Sequence, residues 1–221
     1  MRHDLLLAYD VNETLLDLAA LDEPFARAFG DPSLRPTWFQ LMLQIAFVGG
    51  LTGRYVDFTS AQQAALTMLA RRTRTDLAPE AADDIVGAMR ELPPHPDVPP
   101  ALADLQDAGF RQVTITNSPL DAARAQLAFA GIDDAFEDIL SADEVKALKP
   151  RPEPYHHVAT RTRVPIENIC LVAAHGWDVS GALAAGAQAA FIARAGAVAI
   201  PLGPQPTYTA ANLQELAQIL A

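Results

Sequence analysis

The feature that most constrains the fold is a short apolar run, Leu5-Leu6-Leu7-Ala8-Tyr9, which ends abruptly in Asp10-Val11-Asn12-Glu13-Thr14. Five apolar residues are too few for a buried helix but suit a strand covered on both faces. In an open α/β sheet, ligands collect beyond the carboxyl ends of the strands. Asp10 therefore stands where a reacting group belongs, although an aspartate there can equally cap a following helix.

The pattern after this strand first turns helical. Residues 19–29, 38–48, 60–72 and 79–90 read as helices, with Gly30 closing the first, a turn at 31–36, and Gly49-Gly50 closing the almost wholly apolar second. Residues 93–100 then hold five prolines in eight positions, which no helix can continue through; His95 among them reads as an exposed loop residue. From there helix and strand alternate. Helices are expected at 101–108, 119–130, 153–163, 179–185 and 210–220, and strands at 112–116, 137–140, 169–173 and 189–193. Such alternation implies an α/β fold with a parallel sheet. The four early helices form an insert after the first strand.

Each expected strand ends in polar residues. The first ends in Asp10, and the second in Thr116-Asn117-Ser118 ahead of Pro119. Lys149-Pro150 precedes a helix, and the strand at 169 runs into His175-Gly176-Trp177-Asp178. Parallel strands bring these ends to one edge, so two carboxylates, a lysine and a hydroxyl-amide pair share a crevice. An ionised Asp10 can serve as nucleophile, and Lys149 nearby favours the charged form. Thr116, with the N–H groups opening the next helix, can bind an anion.

The net charge of -11 excludes nucleic acid and anionic membrane as natural partners, and no apolar run approaches membrane-spanning length. The single cysteine, Cys170, lies in an apolar run and reads as a core residue. With no disulfide possible within the chain and too short an apolar stretch after residues 1–4 for a signal peptide, a cytoplasmic protein is expected.

The ordered set Asp10-x-Asn12-x-Thr14-Leu15, Ile115-Thr116-Asn117, Lys149-Pro150 and Trp177-Asp178 resembles the haloacid dehalogenase-like superfamily. Trp38, Gln40, Leu43, residues 53–58, Tyr155 and Gly181 make it most similar to the L-2-haloacid dehalogenase branch. The resemblance implies a Rossmann-like parallel-sheet core, residues 1–16 and 97–221, with a helical cap at 17–96. It also implies a metal-independent hydrolase without cofactor. Asp10 displaces halide from a short 2-haloalkanoic acid, and water hydrolyses the resulting ester.

Carried over, Thr14 and Lys149 orient the nucleophile, with Tyr155 supporting the lysine and Asp178 placing the lysine or the water. Thr116 and the N–H groups around Val11 and Asn117 hold the substrate carboxylate. Gln40, Leu43, Phe58 and Trp177 wall the pocket. The branch also implies a possible homodimer, acting on a small anionic substrate. Three positions depart from it. Phe39 replaces an arginine that receives the halide, Ala174 and His175 replace a Ser and an Asn, and Asn12 replaces an aromatic residue. His175 is either a base for ester hydrolysis or a histidine fixed by loop hydrogen bonds. Two alternatives are a magnesium-dependent phosphatase and a silent binding protein on the same scaffold. The phosphatase lacks its general acid, because Asn12 has no proton to give.

Overall fold

In the structure, a computed structural model describing residues 5–220, β1 (Leu6–Tyr9) is central in a six-stranded parallel sheet. The other strands are β2 (Arg111–Thr116), β3 (Asp138–Ser141), β4 (Ile169–Ala173), β5 (Gln188–Ile192) and β6 (Tyr208–Ala210). Their order, β3-β2-β1-β4-β5-β6, is that of a doubly wound Rossmann-type sheet. Ala8 pairs with Val113 on one side and Leu171 on the other.

Side-chain alternation gives each face of the sheet its own core. Leu7, Tyr9, Cys170 and Val172 join one apolar cluster; Leu6, Ala8, Leu171 and Ala173 join the other. Burial pushes the Cys170 thiol up to about 12, so it behaves as an inert core residue.

Helices α1 (Asp22–Phe29), α2 (Arg35–Thr52), α3 (Phe58–Thr73) and α4 (Pro79–Ala88) follow β1 and pack on one another. The chain then returns through α5 (Val98–Asp107). The outgoing and returning segments are tied together: Asp17 N donates to Pro93 O at 2.8 Å and His95 N to Leu15 O at 2.9 Å. Tyr55 donates to Asp143 and Arg90 pairs with Asp121, so the inserted helices are also pinned to the sheet side. The remaining helices are α6 (Leu120–Phe129), α7 (Pro152–Thr162), α8 (Gly176–Ala184) and α9 (Leu213–Leu220). Among the described residues no helix is long and apolar enough to cross a membrane. The leader reading rests on residues 1–4, which lie outside those described.

Several element boundaries differ from expectation. Helix α2 starts at Arg35, where a turn was expected, and runs through Gly49-Gly50 to end at Gly53, whose φ of 69° closes it. Gly49 serves another purpose: a Cβ there would lie 2.6 Å from Arg54 O, so only glycine lets the chain turn back across the helix. Helix α5 starts at Val98, and α8 at Gly176, three residues before the expected start, which puts Asp178 inside its first turn. Helix α6 begins after Pro119, one residue later than expected, and Ser118 before it takes no part in capping, its Oγ accepting from Asn12 instead. Strand β6 is not among the expected strands; its last residue, Ala210, is where the last helix was expected to begin, and that helix starts at Leu213.

Candidate active site

Asp10 is carried out of β1, its N–H bound to Val172 O at 3.0 Å, and is 5% exposed. Each of its oxygens is engaged differently. Oδ1 accepts from Lys149 Nζ at 2.9 Å; Oδ2 accepts from Thr14 Oγ1 at 2.7 Å and lies 3.0 Å from His175 Nδ1. Thr14 is itself fixed, since its hydroxyl oxygen accepts from Ala174 N at 2.9 Å.

Lys149 is fully buried. Its three donors go to Asp10 Oδ1, to Asp178 Oδ2 at 2.6 Å and to Ile115 O at 2.9 Å, which saturates the ammonium. Its backbone is held in turn by Asn117: Lys149 N donates to Asn117 Oδ1 at 2.8 Å, and Asn117 Nδ2 donates to Lys149 O at 3.3 Å. Tyr155 donates to Asp178 Oδ1 at 2.6 Å. The exit of β1, the end of β2 and the first turn of α8 thus meet on one ammonium group.

The electrostatics follow from this cluster. Burial raises the Asp10 carboxyl, but the Lys149 charge and the hydrogen bonds from His175 and Lys149 outweigh it, holding Asp10 below the ordinary carboxylate range. Burial lowers Lys149, and the charges of Asp10 and Asp178 more than restore it. Asp178, sharing one cation with Asp10 in a dry site, is pushed up by burial. Burial lowers His175 too, yet its hydrogen bonds to Asp10 and Glu13 lift it to about 9.

Next to His175 opens a cavity of about 930 Å³; Asp10 does not line it and reaches it only through its contact with His175. Of the residues expected to wall a pocket, Gln40, Leu43 and Trp177 line it, and so does Phe39, which stands in the place of the halide-receiving arginine. Phe58 does not: it opens α3 and is buried in the larger apolar cluster, because its helical phase faces the core. Asn12 does not line it either. Its Nδ2 donates to Ser118 Oγ at 3.2 Å and its Oδ1 accepts from Gln126 Nε2 at 2.9 Å, so both ends of the amide are engaged away from the cavity. Val11 and Thr116 are buried beside Asp10, the Thr116 hydroxyl accepting from Ser118 N at 3.2 Å.

His175 forms the floor between cavity and nucleophile. Its ring stacks on Phe39 (centroids 5.6 Å, 17°) and on Trp177 (5.2 Å, 29°). Its Nε2 lies 3.0 Å from Glu13 Oε2. His95 is half-buried rather than exposed; it lines the cavity and its Nε2 sits 3.2 Å from Glu13 O.

Three lining residues were not singled out in the sequence. Glu13 has a left-handed φ of 60°, which turns it toward His175. Arg35, one turn before Phe39 on α2, gives its Nε to Asp22 at 2.6 Å and places Nη1 3.8 Å from Glu13 Oε1, leaving its terminal N–H groups without a hydrogen bond among the described residues. Arg194 is spent on Thr14 O and Asp97. The spacing of Arg35 and Phe39, four apart on one helix, is the signal that could have found the arginine. Trp177 Nε1 is buried with no partner among the described residues, a donor suited to an anion.

Among the described residues no three His, Cys, Asp or Glu are grouped to hold a metal ion. Ala173 and Ala174 offer no side-chain oxygen where a cation would need one, and Asn12 is tied up. The donor set does not fit magnesium.

A model of haloacid dehalogenase-like hydrolases matches residues 6–186. Haloacetate dehalogenase H-2 of Moraxella sp. (strain B) is 27% identical over 217 residues, covering 97% of both chains. (S)-2-haloacid dehalogenase 1 of Pseudomonas sp. (strain CBS-3) is 31% identical over 184 residues, 80% of this chain and 79% of the relative. The solved structure of L-2-haloacid dehalogenase from Xanthobacter autotrophicus with chloropropionic acid covalently bound superposes with a TM-score of 0.91 over 97% of both chains, at 24% identity.

Proposed function

The chain belongs to the haloacid dehalogenase-like hydrolase family, and from that premise we propose that it cleaves the carbon–halogen bond of a short 2-haloalkanoic acid through an Asp10 ester, without a metal. The observation that carries this reading is the state of Asp10. It is buried, held ionised by Lys149, and in contact with His175, which lines a cavity that also holds Phe39, Trp177 and the Arg35 guanidinium. A phosphatase of this fold needs an acid two residues on, and Asn12 is an amide turned away from the cavity. Dehalogenase activity in relatives covering 97% and 80% of this chain supports the same reading.

In this reading one Asp10 oxygen attacks carbon 2 and the halide leaves with the bonding pair. Thr14 and Lys149 hold the carboxylate in place, and Asp178 with Tyr155 holds Lys149. Thr116 and the N–H groups of Val11 and Asn117 receive the substrate carboxylate. Phe39, Gln40, Leu43 and Trp177 surround the alkyl group. Phe39 cannot donate to halide, so the departing charge falls to the Arg35 guanidinium, whose terminal N–H groups face Glu13 without a hydrogen bond among the described residues, and to Trp177 Nε1. Water then opens the ester to give a 2-hydroxy acid. Residues 17–96 act as the cap over residues 1–16 and 97–221, in a cytoplasmic enzyme that pairs as a homodimer.

The test is halide release from (S)-2-chloropropionate and from monochloroacetate with chelator present. Wild type should release halide and Asp10→Ala should not. No release by wild type from either acid refutes the proposal.

A further inference from the structure

We propose that His175, oriented by Glu13, is the base that hydrolyses the Asp10 ester, and that the negative charge of Asp10 keeps it out of action until the ester has formed. This rests on the reading of Asp10 as nucleophile. The observation is a chain of contacts: Asp10 Oδ2 to His175 Nδ1 at 3.0 Å, and His175 Nε2 to Glu13 Oε2 at 3.0 Å. Both ring nitrogens face a carboxylate, so the free enzyme holds an imidazolium, which cannot accept a proton. The ring is clamped in that position between Phe39 and Trp177.

Alkylation of Oδ2 changes this balance. The ester carries no charge, so the attraction and the hydrogen bond from the Asp10 side vanish while burial and Glu13 remain. The imidazolium then gives its Nδ1 proton to solvent. Nε2–H stays bound to Glu13, which fixes the tautomer with the Nδ1 lone pair facing the ester. The other charged groups near the ring do not change in this step. Lys149 stays on Oδ1 and on Asp178, Arg35 stays near the second oxygen of Glu13, and Asp22 stays on Arg35.

Hydrolysis then balances as follows. Water attacks Cγ of Asp10 and gives one proton to His175 Nδ1, while Lys149 stabilises the oxyanion formed at Oδ1. The tetrahedral centre collapses, the Cγ–O bond to the alkyl group breaks, and the departing alkoxide takes the proton from Nδ1. The second water proton, left on the Asp10 carboxyl, passes to His175 and restores the starting ion pair. Over the cycle one water is consumed, and one halide, one proton and one hydroxy acid are released. Glu13 is a positioning residue here, since it touches only the base.

The test separates the two covalent steps with (S)-2-chloropropionate, using rapid quench and intact-protein mass measurement. His175→Gln and His175→Asn should release close to one halide per subunit and then stall as an alkylated protein, with ester hydrolysis slowed at least ~100-fold. The halide burst itself shows that the variant site is folded. Glu13→Gln should slow hydrolysis about tenfold and move the pH limb of that step downward, because the imidazolium loses its remaining partner; Glu13→Asp should recover part of both. Hydrolysis at the wild-type rate in both His175 variants overturns the base. An unmoved pH limb in Glu13→Gln overturns the role of Glu13. If wild type releases no halide at all, or Asp10→Ala releases it at the wild-type rate, the ester reading itself has failed, and this inference with it.

Discussion

Replacing Lys149 by Met tests whether the buried ion cluster is built as described. The side chain is fully buried and makes hydrogen bonds of 2.9, 2.6 and 2.9 Å to Asp10, Asp178 and Ile115 O. Methionine fills the same space with an unbranched apolar stem, so packing changes little. Two buried carboxylates lose their shared cation, and only His175 remains to compensate Asp10. Removing one partner of a buried ion pair costs about 3–5 kcal/mol. At a urea dependence of about 2–3 kcal/mol per molar, the unfolding midpoint should drop by roughly 1–2.5 M.

The pH dependence of that loss is the sharper measurement. In wild type, Asp10 is held below its ordinary range, so its contribution is present above the unfolded carboxyl value near ~4 and is lost as pH falls through its lower folded value. In Lys149→Met both carboxyls rise, and the folded variant binds more protons than the unfolded chain between about pH 4 and 7. Its stability therefore increases as pH falls across that window. The gap between the two proteins should be widest near pH 7.5 and shrink toward pH 4.5. A loss below about 1 kcal/mol, or one equal at both pH values, would refute the reasoning.

Two further outcomes follow from the same geometry. His175 is raised from 6.5 to about 9, so its contribution is complete below its unfolded value and disappears as pH rises through about 9. The stability difference between wild type and His175→Gln, from urea midpoints, should fall by up to about 3 kcal/mol between pH 6 and pH 10; a flat difference would remove the ion pairs with Asp10 and Glu13. At Gly181, a Cβ would lie 2.6 Å from both Pro150 Cβ and Tyr155 Oη, so Gly181→Ala should cost about 1–3 kcal/mol and lower activity by shifting the Tyr155–Asp178 bond behind Lys149. Gly87→Ala is its control: nothing lies within 4 Å, and thermal unfolding should show a gain of up to about 1 kcal/mol.

What the sequence makes legible divides along a physical line. Asp10, Thr116 and Asn117 sit at the ends of strands and Asp178 in the first turn of the helix after one, and a parallel sheet brings such points to one edge whatever the intervening loops do. Lys149 joins them by the same logic. The glycine pair at 49–50 misleads because glycine carries two meanings, a helix stop and a close approach, and only the position of Arg54 O separates them. Strand β6 has three residues, too few to show a period. Arg35 is hidden by Pro36, which reads as a turn residue but also fits the first turn of a helix.

Glu13 is the most instructive case. It looks like a polar filler between Asn12 and Thr14, yet the contact that gives it meaning is with His175, 162 positions along the chain. That contact needs a left-handed backbone at Glu13, α8 starting at Gly176, and two rings gripping the imidazole. Each condition is set by a different part of the chain. A residue's place at a strand end can be read from local pattern. The charge state of a histidine held between two carboxylates depends on their separation in space, and it is that separation, about 3.0 Å on either side, that decides what His175 can do.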